Sequence, residues 1–328
     1  MAGKIVPHKK LCLNTRYKKM TCRRCARICS KGCISEKLEF DLSKCDECGL
    51  CMAVCPAEAI AGENYSRKDV ENMLNMADSP LVLCCSRQDK QSCWPCLGFL
   101  DTRLFLAMAY SGKGKRKVVV DNRRCSKCNP KVADYLQRLL YNVNIFLHAS
   151  GKSPIVQGQA VSNYPHKEKV VSRRAFFGSL IGDVMTVITE VVRSDGNPAE
   201  LLPRQEFFST YVKYHSFPEM MPTSLFNAIS IGKSCHACGL CAKICPQKAI
   251  EIKEQGEVVD FYHRALTCTG CEVCVAHCPQ KAITLVPAHS LKITYVATHH
   301  MPRCPQCNKV YQPVGNNSLC FECLTNDR

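Results

Sequence analysis

Cysteine spacing constrains this chain more than any other feature. It has 27 cysteines in 328 residues, and nearly all stand in Cys-x-x-Cys units. Three runs share one pattern: Cys45-x2-Cys48-x2-Cys51-x3-Cys55-Pro56, Cys235-x2-Cys238-x2-Cys241-x3-Cys245-Pro246 and Cys268-x2-Cys271-x2-Cys274-x3-Cys278-Pro279. Loop thiols this close converge on a metal more readily than they pair with distant partners, so a disulfide framework is a poor reading. The Met1–Met20 stretch is basic and lacks an apolar core, which argues against export. No apolar run approaches the ~20 residues that cross a bilayer. A reducing, anaerobic cytoplasm is the expected setting. Ser172-Arg173-Arg174-Ala175-Phe176-Phe177 resembles a twin-arginine signal but lies mid-chain, and it reads better as the start of an amphipathic helix.

The two C-terminal runs resemble the bacterial 2×(4Fe–4S) ferredoxin family without gap or substitution. The resemblance implies that three closely spaced thiolates hold one cubane and that the fourth Cys crosses to the neighbouring one. Carried over, Cys235, Cys238, Cys241 and Cys278 bind one cluster, and Cys268, Cys271, Cys274 and Cys245 bind the other. It also implies that Ala249-Ile250 and Ala282-Ile283 pack beneath the clusters; between the motifs, Ile250 to Val259 reads as a hairpin that turns near Gln255-Gly256. A zinc-only domain needs four thiolates, not two interleaved quartets.

The N-terminal module departs from this pattern. Read forward, Cys22-x2-Cys25-x3-Cys29-x3-Cys33 is one residue too long. Read backward, Cys29-Ser30-Lys31-Gly32-Cys33-Ile34 aligns with Cys55-Pro56-Ala57-Glu58-Ala59-Ile60. The missing first ligand then falls at Lys19, and Cys12 is the natural substitute. The favoured quartets are Cys12, Cys22, Cys25 and Cys55 for one cluster, and Cys45, Cys48, Cys51 and Cys29 for the other, leaving Cys33 spare. A competing assignment makes Cys33 the crossing ligand and frees Cys12. A third leaves one cluster with three Cys ligands and an open iron.

The expected architecture is α+β and multidomain: a ferredoxin-like module (1–65), a small α/β Cys-rich domain (66–150), a linker with amphipathic helices (151–228), a second ferredoxin module (229–288) and a zinc-ribbon-like tail (289–328). In the middle domain, Ser66–Ala77, Leu97–Tyr110 and Val132–Tyr141 read as helices, and Leu81–Leu83 and Val118–Val120 as parallel strands. Residues 151–168 read as linker, and Phe177, Leu180, Ile181, Val184, Ile188 and Val191 recur at helical spacing.

Cys84, Cys85, Cys93, Cys96, Cys125 and Cys128 gather in the middle domain, where parallel strands would place them at the carboxyl edge of the sheet. The expected metal ligands are Cys85 (or Cys84), Cys96, Cys125 and Cys128, with zinc and an iron–sulfur cluster both open. Cys84-Cys85 with Cys125-x2-Cys128 weakly resembles the CCG domain of heterodisulfide reductases, but Ser86 stands where that family has Gly. In the tail, Cys304-x2-Cys307 and Cys320-x2-Cys323 resemble a zinc knuckle; His299 and His300 are not needed as ligands.

The formal charge is +16. A 4Fe–4S core on four thiolates carries roughly −2, as does zinc on four thiolates, so four clusters and two smaller sites offset about 12 units. Nucleic acid is not required to explain the basic residues. Gly112-Lys113-Gly114-Lys115 lacks phosphate-loop spacing, and no catalytic triad is evident. The leading expectation is electron transfer through four 4Fe–4S clusters, as a subunit or partner of an anaerobic oxidoreductase, with a flavoprotein or another oxidoreductase subunit as redox partner. The alternatives are a thiol–disulfide-type reductase using the middle cysteines and, last, a Cys-rich nucleic-acid-binding regulator. Whether the chain is itself an enzyme stays open.

Overall fold

A computed structural model describes residues 5–313 and 318–326, except 36–38, 76–79, 91, 93, 112–115, 159–200, 214, 216, 218 and 221–224. Cys93, the twin-arginine fragment, the Gly112–Lys115 turn and the expected helix around Phe177–Val191 lie outside the described residues.

The chain is mixed α+β, with small sheets rather than one large one. The two Cys-dense modules repeat one frame. In the N-terminal module, Ile5–Pro7 pairs antiparallel with Ile60–Gly62; in the C-terminal one, Asn227–Ile231 pairs antiparallel with Ile283–Pro287. The strand that precedes the first cysteine thus returns to the one that follows the last motif, closing each module over its loops. The closure even shares a bond, His8 N–H to Ala59 O at 2.8 Å and Gly232 N–H to Ala282 O at 2.7 Å. Between motifs, the C-terminal module has the hairpin Ile250–Gln255 and Val258–Arg264, joined on its far side by Ile293–His300. In the N-terminal module the described residues have the bridge Ile34 to Phe40 at the corresponding place.

The middle domain is built on three parallel strands, Leu81–Leu83, Val118–Val120 and Val156–Gln157. The third lies in what the sequence reads as linker, so the sheet extends past residue 150. The expected helix over Leu97–Tyr110 is interrupted. Leu97–Phe99 is a 3-10 turn, and a separate helix Thr102–Tyr110 begins at Asp101, whose side chain accepts the Leu104 N–H. Its residues Leu104–Tyr110 are all buried, so it is apolar on every side and packs against neighbours all round. The next helix, Pro130–Ala149, is twice the length read from sequence; Asn129 caps it, Pro130 starts it, and Val132, Leu136, Leu139, Leu140, Val143, Phe146 and Leu147 form its buried stripe. One hydrophobic core joins this domain to the N-terminal module and to the helix Arg204–Val212, while the C-terminal module has a smaller core around Val259 and Phe261.

Arg204 holds this assembly together. Its guanidinium is buried and donates to Ala53 O at 2.6 Å, Cys55 O at 2.7 Å and Asp101 Oδ2 at 3.0 Å, with Glu58 Oε1 at 3.7 Å. Removing one partner of a buried ion network strands the others' charge. Arg204→Met is therefore expected to lower stability by about 3–5 kcal/mol in anaerobic chemical denaturation. A midpoint equal to wild type would show that the network holds nothing.

Candidate metal centres

One local device recurs four times. A five-residue helix ends on the last Cys of a motif: Arg24–Ile28 before Cys29, Leu50–Val54 before Cys55, Leu240–Ile244 before Cys245 and Val273–His277 before Cys278. Three residues further on, the backbone is left-handed: Gly32 (φ 60°), Glu58 (51°), Lys248 (50°) and Lys281 (50°). Only the first of these is glycine, so the other three hold a conformation that disfavours a side chain. The turn aims the next N–H back at the cysteine sulfur. Cys33, Ala59, Ala249 and Ala282 donate to the Sγ of Cys29, Cys55, Cys245 and Cys278, each at 3.3 Å. Cys33 therefore stands where the other three motifs place a buried alanine, and it is itself buried. An N–H aimed at Sγ stabilises a thiolate and later the charge of a bound cluster.

The front of each motif divides three to one. Glu47, Ala237 and Gly270, just before the second Cys, have φ of 52°, 54° and 61°; Gly49, Gly239 and Glu272, just after it, have φ of 76°, 66° and 64°. The Cys22–Cys25 loop lacks this, with Arg23 at φ −128°. Asn14 replaces it. Its Oδ1 accepts the Cys22 N–H at 2.7 Å and its Nδ2 donates to Cys22 O at 2.9 Å, tying the Leu13–Arg16 turn, which Cys12 begins, to Cys22. A cavity of about 310 Å³ results, with Cys12, Cys22, Cys25 and Cys55 all in its wall.

The electrostatics report the same groupings. Burial, then the charge of Cys55, pushes the Cys25 thiol up to about 11, with Cys22 and Cys12 adding to it. Burial, then Cys48, Cys45, Cys25 and Cys29, drives Cys51 well above its ordinary value. In the C-terminal module, burial followed by Cys235 and Cys238, with Cys278 further down, raises Cys241 to about 12. Burial followed by Cys271, Cys245, Cys268 and Cys241 raises Cys274 to about 12. Buried thiols that resist ionising because of one another fit a cationic metal core, which removes that penalty on binding. The effect of Cys25 on Cys51, and of Cys241 on Cys274, also puts the two quartets of each module side by side.

The modules meet through cluster-side groups. Arg24, next to Cys25, donates to Gly270 O at 2.6 Å and pairs with Glu272 at 3.2 Å. Arg103 donates to Cys268 O at 2.8 Å, and Gln205, beside Arg204, donates to Leu266 O at 3.0 Å. His277 is occupied by Val273 O at 3.0 Å and by the Tyr17 ring.

In the middle domain, Cys84 and Cys85 follow the first strand and Cys125 follows the second. Cys85, Cys96, Cys125 and Cys128 line one cavity of about 340 Å³, while Cys84 is buried and absent from its wall. Burial, and after it Cys96, Cys85 and Cys128, raises Cys125 to about 12. In the tail, the ligand atoms of Cys304, Cys307, Cys320 and Cys323 all lie within 4.8 Å of one another, and Cys307 Sγ is 3.6 Å from Cys320 Sγ. The Cys320 N–H, foremost, holds the Cys304 thiol down at about 6. Sulfurs this close suit a single tetrahedral ion.

The sequence model of the 4Fe–4S dicluster domain matches residues 234–282, and that of the 4Fe–4S binding domain matches residues 38–61. The chain carries ferredoxin-type iron–sulfur domains. A 42-residue segment is also 40% identical to pyruvate synthase subunit PorD of Methanothermobacter marburgensis, covering 13% of this chain and 52% of that subunit. The chain thus spans about half the length of the curated relative it matches. The Cys12–Cys33 stretch lies outside both ferredoxin-domain matches, and the geometry of Asn14 and Gly32 is what speaks for it. No helix among the described residues is long and apolar enough to cross a membrane.

Sequence reasoning missed Asn14, Arg103 and Arg204, which no spacing announces. Two outcomes follow. Cys12→Ser is expected to lose about four irons per chain in anaerobically prepared protein, whereas Cys33→Ala loses none; the reverse would make Cys33 the ligand. The tail is expected to retain about one zinc per chain, and Cys320→Ser to release it without loss of iron, by metal analysis.

Proposed function

We propose that this chain carries electrons through four 4Fe–4S clusters, held by Cys12/Cys22/Cys25/Cys55, Cys29/Cys45/Cys48/Cys51, Cys245/Cys268/Cys271/Cys274 and Cys235/Cys238/Cys241/Cys278, as a subunit or partner of an anaerobic oxidoreductase. A bound 4Fe–4S cluster takes up and releases one electron at a time. The observation that carries the reading is the fourfold turn that aims an N–H at Cys29, Cys55, Cys245 and Cys278, the cysteines that the ferredoxin pattern sends across to the neighbouring quartet.

The chain's own residues set the conditions for transfer. The backbone donors at those sulfurs offset added negative charge, and buried Leu50, Ile60, Ile250 and Ile283 keep water away. Arg204 at Cys55 O and Arg103 at Cys268 O bring a ligand strand of each module into one hydrogen-bonded contact. Together with Arg24 at Gly270 O, this supports a single path across both modules rather than two independent carriers. The likeness to a pyruvate synthase subunit supports an oxidoreductase complex as the partner. A zinc-held tail docks on the outer side through Arg303 to Glu257 and Lys243 to Gln312, and it serves as a structural clasp.

Protein reduced with dithionite and freed of excess reductant is expected to deliver at least about four electrons per chain to a one-electron acceptor such as cytochrome c. Delivery of about two would confine the function to one module, and delivery of none would remove it.

A further inference from the structure

We propose that Cys85, Cys96, Cys125 and Cys128 hold a fifth 4Fe–4S cluster, placed to exchange electrons with the neighbouring Cys29/Cys45/Cys48/Cys51 site. The proposal rests on the reading of the ferredoxin modules as cluster sites, and extends the path at their N-terminal end.

Spacing separates a cluster from zinc here. Zinc on four thiolates has Zn–S bonds of about 2.3 Å, which draws the sulfurs to about 4 Å from one another. Among the described residues, only the tail cysteines bring three or more ligand atoms within 4.8 Å of one another. The middle quartet does not, and neither do the ferredoxin quartets. Its four thiols share the wall of one cavity of about 340 Å³, as Cys12, Cys22, Cys25 and Cys55 share the wall of one of about 310 Å³.

The cavity also has the supports such a site needs. Cys85 lies two residues past the strand Leu81–Leu83, and Cys125 opens the short helix Cys125–Cys128 after the adjacent parallel strand Val118–Val120, so both follow the carboxyl ends of strands, where α/β sheets hold ligands. Arg87 donates to Cys128 Sγ at 3.2 Å and also to Asp46 O, in the loop between Cys45 and Cys48. Asn129, in the cavity wall, donates to Asp46 Oδ2 at 3.1 Å and to Ser30 Oγ at 3.0 Å, beside Cys29. Two side chains thus join the middle quartet to loops of the ferredoxin quartet.

Gly98 brings the two sites into direct contact. It lies two residues after Cys96, and a Cβ placed on it would fall 2.3 Å from Cys48 O. Only glycine lets the Leu97–Phe99 turn lie flat on a ligand loop of the neighbouring cluster. Gly49, at φ 76°, meets the same turn, where an added Cβ would come 2.8 Å from Phe99 N. Exchange across this contact is a one-electron step: one centre is oxidised as the other is reduced, and no bond or proton is involved.

Iron, acid-labile sulfide and zinc in anaerobically prepared full-length protein test this. The expected counts are about 20 irons and one zinc per chain, and a Cys125→Ser/Cys128→Ala variant is expected to keep about 16 irons. A wild-type count of about 16 irons with two zincs, or of about 18 irons from a two-iron centre, would overturn the proposal. So would a folded variant with undiminished iron. If the variant does not fold, the wild-type count decides. A total well below 16 that still falls by about four in the variant would sink the ferredoxin-module reading while supporting this one.

Discussion

Charge crowded into a buried space is costly, and that cost governs this molecule. Burial first, and then the neighbouring thiols, push Cys51 well above its ordinary value and Cys274 up to about 12. Nearby cations offset only part of that cost: burial keeps Cys55, Cys268 and Cys271 raised although Arg204, Arg103 and Arg24, respectively, pull them down. The compensation belongs to a metal core, and the short helices, left-handed turns and flanking strand pairs are the scaffold that keeps the sulfurs gathered until it arrives.

Shared contacts join the two small modules and the small α/β unit. Neither ferredoxin module has a large core of its own. The N-terminal one borrows the apolar surface of Phe99, Leu104 and the Arg204–Val212 helix, and its loops are pinned by Arg204, Arg87 and Asn129. Those side chains run from one cysteine group toward the next, so the contacts that stabilise the assembly also hold the groups beside one another.

Much of this was legible in the residues. Cysteine spacing marks three of the four motifs directly, the Gln255-Gly256 turn marks the hairpin after Ile250, and short apolar runs mark the two parallel strands ahead of Cys85 and Cys125. The backward alignment of Cys29 with Cys55 finds its counterpart in the matching Gly32 and Glu58 turns and in Cys33 taking an alanine position. What the sequence could not show was long-range. The Asn14–Cys22 bridge spans eight residues of a basic loop, and Arg204 reaches Cys55 across 149 residues. The helix read over Leu97–Tyr110 misses the break at Asp101, because a single Asp inside a long apolar run does not announce that its side chain caps Leu104. The strand Val156–Gln157 is too short and too polar-flanked to register as anything but linker.

The account stands on sulfur quartets that exchange their fourth members. A crystal structure of the anaerobically prepared holoprotein, with anomalous scattering collected at the iron edge, tests it most directly. It predicts iron at each ferredoxin quartet, with Cys12 bound to the cluster of Cys22, Cys25 and Cys55, and Cys33 bound to none. Iron ligated by Cys33, or quartets occupied by zinc alone, would contradict it.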